Sequence, residues 1–230
     1  PEPELTEDAL LGGRIRIRQP ARGYRVNVDT MLLAAALPAT GERHGPEIEL
    51  GCGVGAALVA VAKRREAAAP GRHRLVGIEQ DPFYARLARE NVSLNGLDHC
   101  VRIIEADALD PPADLTGFER VFFNPPYDDP AEGRLTVNVA AGEGGGPRAG
   151  PERWAAHVAS RPIAYWIKLW CNRMTSGASM TLIHRAHRLG EILGALEGRL
   201  GGVEITPIRR DARSPALRVL VSARKGSRAR

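Results

Sequence analysis

Cysteine is scarce in this chain of 230 residues: Cys52, Cys100 and Cys171 are the whole supply, and their spacing suits neither a metal site nor a disulfide framework. That scarcity argues against a stapled secreted module and for a reduced, cytoplasmic protein. No apolar stretch approaches membrane-spanning length and no secretory signal is visible, so no membrane partner is expected. His157, His184 and His187 lack neighbouring carboxylates or cysteines at ligand spacing, so no metal is expected. Pro1 stands where an initiating Met would, which suggests a trimmed or tagged start, and Arg230 suggests a truncated end. What is present is enough core: 43% hydrophobic residues suit one compact α/β domain spanning 1–230.

Acids are also missing locally. The net charge is +5, and Arg14, Arg16, Arg18, Arg22 and Arg25 fall in a window without a single carboxylate. Arg14-Ile15-Arg16-Ile17-Arg18 alternates at strand period, placing arginines on one face and isoleucines on the other. With a turn at 19–23, this predicts an N-terminal β-hairpin, within a 1–30 extension, whose cationic face suits a phosphate backbone. A solubilising strand face is the competing reading. The basic run after position 208 reads as a solvated tail.

Two motifs carry chemistry. Val121-Phe122-Phe123-Asn124-Pro125-Pro126-Tyr127 ends a strand-like run with an amide, two prolines and an aromatic ring. The Asn124 side-chain oxygen and the Pro125 carbonyl can both accept hydrogens from one exocyclic amine, and Tyr127 can stack on a planar ring. Asn-Pro-Pro is also an ordinary strand exit. Upstream, Glu49-Leu50-Gly51-Cys52-Gly53-Val54-Gly55 joins a short strand to an alanine-rich helix. Alternating glycines let backbone turn tightly and approach a ligand, with helix N–H groups facing it. Glu79, closing the next strand, can accept both hydroxyls of a ribose. Asp107 closes a further strand in Glu105-Ala106-Asp107-Ala108 and suits an adenine amine. Gly51, Gly53 and Ala56 also fit the looser dinucleotide fingerprint. Against a nicotinamide enzyme stand Glu49, which has no task on a pyrophosphate, and Asn-Pro-Pro-Tyr, which a dehydrogenase does not use.

The order Glu-x-Gly-x-Gly-x-Gly, Glu79, Ala-Asp-Ala, Asn-Pro-Pro-Tyr resembles the class I S-adenosylmethionine-dependent methyltransferases that act on amino nitrogens. Asp8-Ala9-Leu10-Leu11-Gly12-Gly13-Arg14 and the stretch from Gly23 to Ala34 are similar to the bacterial tRNA1(Val) adenine-N6 methyltransferase family, of the methyltransferase small domain type. The resemblance implies S-adenosyl-L-methionine as cofactor. It implies that Glu49, Gly51, Cys52, Gly53 and Gly55 hold its methionine part, Glu79 and Gln80 its ribose, and Asp107 and Ala108 its adenine. Asn124 borders both cofactor and acceptor, and Asn124, Pro125, Pro126 and Tyr127 serve catalysis. RNA, above all tRNA, is the implied partner. Related motifs also serve enzymes acting on protein glutamine, guanine amines and DNA adenine, and a catalytically silent RNA- or nucleotide-binding domain stays open.

The expected fold is Rossmann-like: a mostly parallel seven-stranded sheet with helices on both faces, plus the N-terminal β-hairpin. Strands are predicted over 47–50, 74–79, 101–105, 120–124, 179–184, 203–207 and 217–223, the last two as a hairpin. Helices are predicted over 55–65, 82–95, a segment within 152–173, and 187–200. Trp166 and Trp170 read as core. The glycine-rich 128–150 segment reads as a flexible loop that could close over the base pocket.

Overall fold

A computed structural model describes residues 3–23, 25–39, 45–125 and 161–227. Strands β3 (Glu47–Leu50), β4 (Leu75–Glu79), β5 (Val101–Glu105), β6 (Phe118–Phe123), β7 (Met174–Arg185), β8 (Leu200–Ile208) and β9 (Arg218–Lys225) form one sheet in the order β5-β4-β3-β6-β7-β9-β8. Pairing is parallel from β5 to β7, and β9 runs antiparallel between β7 and β8. The chain winds outward from β3 to β5, then returns to place β6 on β3's other side. The switch point therefore falls between β3 and β6, where open α/β sheets bind ligands at their carboxyl ends.

Helices α1 (Val28–Ala36), α2 (Ala56–Ala68) and α3 (Pro82–Leu94) accompany one core, which includes Phe122, Ile183 and Leu220 from the sheet. Helices α4 (Ile163–Cys171) and α5 (Leu189–Leu196) accompany the other, with Ile48, Leu50, Phe123 and Leu182. Trp166 and Trp170 are buried there as expected: Trp166 stacks on Phe123 at 5.9 Å, and the Trp170 indole donates to the Ala108 carbonyl at 2.8 Å. At the sheet's amino end, Glu47 accepts from the buried Arg65 at 2.7 Å and from Arg120 at 3.0 Å, tying α2 to β3 and β6.

The hairpin turn differs from expectation. Strand β1 (Leu5–Leu10) pairs antiparallel with β2 (Ile15–Pro20), so the turn is Leu11–Arg14, not 19–23. Gly12 and Gly13 supply the positive φ values, +67° and +83°, that a tight turn needs. The 19–23 segment instead leads to α1, a helix the pattern had not announced, which Asn27 caps by accepting from the Thr30 N–H. Helix α5 is also shorter than the apolar stripe suggested. Ala186–Arg188 is a 3-10 turn, and Gly198 at φ +71° releases Leu200 into β8. Of the 152–173 segment, Ile163–Cys171 is helical, while 152–160 and the 128–150 loop lie outside the described residues.

The hairpin's anchorage on α3 rests on two carboxamides. Asn95 Oδ1 accepts from the Arg16 N–H at 3.1 Å and Asn95 Nδ2 donates to the Arg16 carbonyl at 2.7 Å. Asn91 does the same for Arg18, at 2.7 and 2.9 Å. The match is geometric: four residues of helix rise about 6 Å and two of strand about 6.6 Å, so side-chain amides spaced i, i+4 imitate a neighbouring strand. Asn91 Nδ2 also donates to the Val54 carbonyl at 2.9 Å, joining the hairpin to the glycine turn. Asn91→Ala should lower unfolding free energy by roughly 1–3 kcal/mol, because it strands buried strand groups without partners. Denaturant titration checks this, and an unchanged midpoint would show the carboxamide ladder to be dispensable.

Candidate active site

The β3–α2 turn is shaped by Gly51, Gly53 and Gly55, at φ +63°, +55° and +78°. Side chains rarely tolerate this left-handed backbone. A Cβ on Gly55 would also press on Ala88 at 3.2 Å, whereas one on Gly51 would meet nothing within 4 Å, so the turn is packed below and open at its tip. Helix α2 starts here at Gly55, which offers no side-chain cap, and the Leu58 N–H of its first turn faces the Glu49 carboxylate.

Two carboxylates flank the turn. Glu79 is buried; its Oε2 accepts from the Gly53 N–H at 2.8 Å and its Oε1 from the Asp81 N–H at 2.9 Å. Burial raises its pKa, and those two N–H groups oppose the rise. Glu49 is buried on the neighbouring strand, and its Oε2 has no hydrogen-bond partner. Burial pushes the Glu49 carboxyl well above its usual range, and the nearby Glu79 charge adds to the shift. A buried acid with an unspent oxygen suits an incoming ammonium. Gly77 stands opposite Glu49 in the β4 register; a Cβ there would lie 2.5 Å from Leu58 Cδ1 and 2.8 Å from Cys52 Sγ.

Just beyond β5, the half-buried Asp107 accepts from the Leu109 N–H at 2.7 Å, and the Ala106 N–H donates to the Glu79 carbonyl at 3.0 Å. Gln80 is half-buried beside Glu79, and Cys52 is buried in the turn with its thiol pKa pushed up by burial. Beyond β6, Asn124 is half-buried and Pro125 buried; Pro126 and Tyr127 lie outside the described residues. The order β5-β4-β3-β6 thus sets Asp107, Glu79, the glycine turn and Asn124 along one edge, over about 15 Å at the usual strand spacing. The arrangement fits S-adenosylmethionine: an acid for its ammonium, an open glycine turn and two further acids for its nucleoside.

The cationic hairpin is less charged in the fold than in the sequence. Strand β1 sets Glu7 against both Arg16 and Arg18 and Asp8 against Arg25. Arg14 sits in the turn, one step beyond Arg16 and Asn95, away from the glycine turn; Arg22 is exposed on the link to α1. Asn91, absent from the expected site residues, was signalled only by a polar side chain among the buried Ala88 and Val92. His184 is buried on β7, and burial together with Arg188 pushes its pKa down to about 4. His157 lies outside the described residues. Among the described residues, Glu66, His99 and Cys100 bring ligand-type atoms within 4.8 Å, but at the sheet's amino end, where Glu66 already accepts from the Gly71 N–H. No helix among the described residues is long and apolar enough to cross a membrane.

A seven-stranded sheet with its glycine turn and acids at the carboxyl edge defines the class I methyltransferase fold. A solved Agrobacterium tumefaciens protein described as a predicted O-methyltransferase superposes with TM-score 0.64, at 28% identity over 88% of this chain and 83% of its own. A T. thermophilus 16S rRNA N2 methyltransferase, solved with AdoMet and guanosine, gives TM-score 0.66 at 17% identity over 98% of this chain and 51% of its own. Residues 23–141 match the methyltransferase small domain, and the chain belongs to that family. A Methanocaldococcus jannaschii protein named a putative protein N5-glutamine methyltransferase is 29% identical over 49% of this chain and 51% of its own length. A Shewanella amazonensis tRNA1(Val) adenine-N6 methyltransferase is 34% identical over 46% of this chain and 42% of its own. The chain spans about half the length of these curated relatives. The cofactor is S-adenosyl-L-methionine.

Glu49→Gln should weaken S-adenosylmethionine binding roughly 10–100-fold, since the ammonium loses a charged acceptor. In the parent, affinity should rise with pH up to the raised Glu49 pKa, with proton release on binding; the variant should show neither. Calorimetry in buffers of different ionisation enthalpy reads both, and identical affinities would remove Glu49 from the cofactor site.

His184 predicts an acid limit to stability. Its folded pKa, about 4, lies below the unfolded value of about 6.5, so the unfolded chain binds more protons between them. This contribution is intact above about pH 6.5 and is lost as pH falls toward 4, for roughly 3 kcal/mol in all. Melting curves of the parent and His184→Gln across that window should differ in slope; parallel curves would contradict the assignment.

Proposed function

We propose that the protein transfers a methyl group to the exocyclic N6 amine of an adenine in tRNA. The observation carrying this reading is Asn124, half-buried just beyond β6 with the Pro125 carbonyl beside it and the glycine turn on the adjacent strand β3. S-adenosylmethionine supplies an electrophilic methyl when bound. Asn124 Oδ1 and the Pro125 carbonyl each accept one hydrogen of the amine. Holding both hydrogens draws the nitrogen lone pair out of the ring and aims it at the cofactor side. As positive charge develops on nitrogen, the same two acceptors stabilise it. No strong base is required, because the product sheds its proton readily. Orienting the acceptor is thus the main contribution of these groups. Tyr127, by its place in the motif, stacks on a base that has first left its own stack. The similarity to the tRNA1(Val) adenine-N6 methyltransferase, together with the N-terminal motif, supports tRNA as the substrate.

A second reading is methylation of a glutamine amide in protein, favoured by the similarity to the Methanocaldococcus jannaschii relative. The two acceptors would serve an amide NH2 equally well. A guanine amine of rRNA is a third, drawn from the structural neighbour that carries guanosine. Mass spectrometry of the nucleosides and proteins of a cell extract, incubated with cofactor with and without this protein, separates them: N6-methyladenosine in tRNA is the expected product, and new methylation only of protein or of guanine overturns the adenine assignment.

Asn124→Ala should lower the single-turnover rate by about two to three orders of magnitude, roughly 3–4 kcal/mol of barrier, while cofactor affinity stays near parental. A merely structural Asn124 would instead lower melting temperature and cofactor binding together. An active Asn124→Ala enzyme would sink the mechanism.

A further inference from the structure

The strand order brings a second group of cations to the edge that carries Asn124. Strand β7 is parallel to β6, with Leu182 beside Phe123, so its last residue, Arg185, stands at the same end of the sheet as Asn124. Arg185 pairs with Arg218 at the start of β9, and Arg218 with Ile208 at the end of β8. The β8–β9 loop therefore opens onto that edge, three strand positions from β6, at about 15 Å. It carries Arg209, Arg210 and Arg213, all exposed.

Three features separate this cluster from the solvated tail that composition suggested. First, the loop is internally braced: Asp211 accepts from the Arg213 N–H at 3.0 Å and the Ser214 N–H at 2.9 Å, and Arg209 donates to the Ser214 carbonyl at 3.1 Å. Second, the loop's one acid is spent on that bracing. Asp211 takes the Ser214 hydroxyl and two backbone N–H groups, and among the described residues it forms no ion pair with the three arginines. The acids nearby are engaged too, Asp29 by Arg218 at 2.9 Å and Glu191 by Arg188 at 3.1 Å. Third, the hairpin presents the opposite case, with Glu7 shared by Arg16 and Arg18. Compared with Arg16 and Arg18, the loop arginines therefore keep more of their charge for a polyanion.

We propose that Arg209, Arg210 and Arg213 form the principal docking surface for the phosphate backbone of the RNA substrate. This inference rests on the reading of the substrate as RNA. The distance from Asn124 corresponds to about four nucleotides of stacked strand, at about 3.4 Å each. With a nucleotide turned out toward Asn124, the phosphates about four nucleotides along the strand come to lie over the loop. The contacts are electrostatic and carry no sequence information, so they set affinity and register while the base pocket sets specificity.

The test compares R209E/R210E/R213E and the milder R209Q/R210Q/R213Q with the hairpin variant R16E/R18E. Binding of an unmodified tRNA transcript is measured by fluorescence anisotropy across a salt titration, with melting temperature and S-adenosylmethionine affinity as controls. The expected result is at least tenfold weaker binding for the loop charge reversal at about 0.1 M salt, with a salt slope shallower by about two. The glutamine variant should fall between, the hairpin variant should stay closer to the parent, and both controls should be unchanged. Loop variants that bind tRNA with parental affinity and slope would overturn the proposal while leaving the RNA reading standing. A parent protein that does not bind tRNA even at low salt would overturn both. A larger loss in the hairpin variant would move the docking surface to β2.

Discussion

The bond from the Gly53 N–H to the Glu79 carboxylate fixes the turn on which the site is built. Without a partner at that point, three consecutive alternating glycines would be a flexible link between β3 and α2. Glu79 holds the turn from the neighbouring strand, and the Asp81 N–H holds Glu79, so the turn inherits the rigidity of the parallel sheet. Asn91 adds a second fastening through the Val54 carbonyl. The cost is a pair of buried acids on adjacent strands, Glu49 and Glu79, each with a raised pKa. Glu79 is relieved by backbone donors, while the spare oxygen of Glu49 is left without one. That asymmetry sets the two apart, one shaping the turn and the other open to a cation.

The same fastening explains the position of the N-terminal hairpin. Ile15 and Ile17 are fully buried against the α1–α3 side, but burial alone would leave β2 with an unpaired edge. Asn91 and Asn95 close that edge from α3. The hairpin is thus a packed part of the domain, reaching the glycine turn through Asn91 alone among these contacts. Arg16 and Arg18 face outward, yet their charge is met by Glu7 of β1, which lies just ahead of them in sequence.

The sheet was legible because its strands are short apolar runs bounded by glycine, proline and acids, and the acid-bearing strand ends could be ordered by motif. The helix predicted over 82–95 was equally plain, and Asp81 caps it with Pro82 in its first turn. The hairpin register was not. Arg-Ile alternation shows which residues share a face but does not say which strand lies opposite, and Gly12-Gly13 proved the better turn than 19–23. The end of α5 was hidden for a related reason: Leu200 continues the helical stripe of α5, and only the left-handed Gly198 shows that it belongs to a strand.

The sequence by itself determined the class of domain, the glycine turn with its strand-end acids, and the Asn124-Pro125 strand exit, because these depend on local residue order and backbone chemistry. Tertiary structure decided which charges remain available. Arg16 and Arg18 stand in a window without acids, but antiparallel pairing sets Glu7 against them. Arg209, Arg210 and Arg213 look like a tail, but the β9 reversal carries them to the edge shared with Asn124. Charge in a sequence is a count; in a fold it is a sum over neighbours within a few ångströms, and those neighbours come from strand pairings that local patterns do not specify.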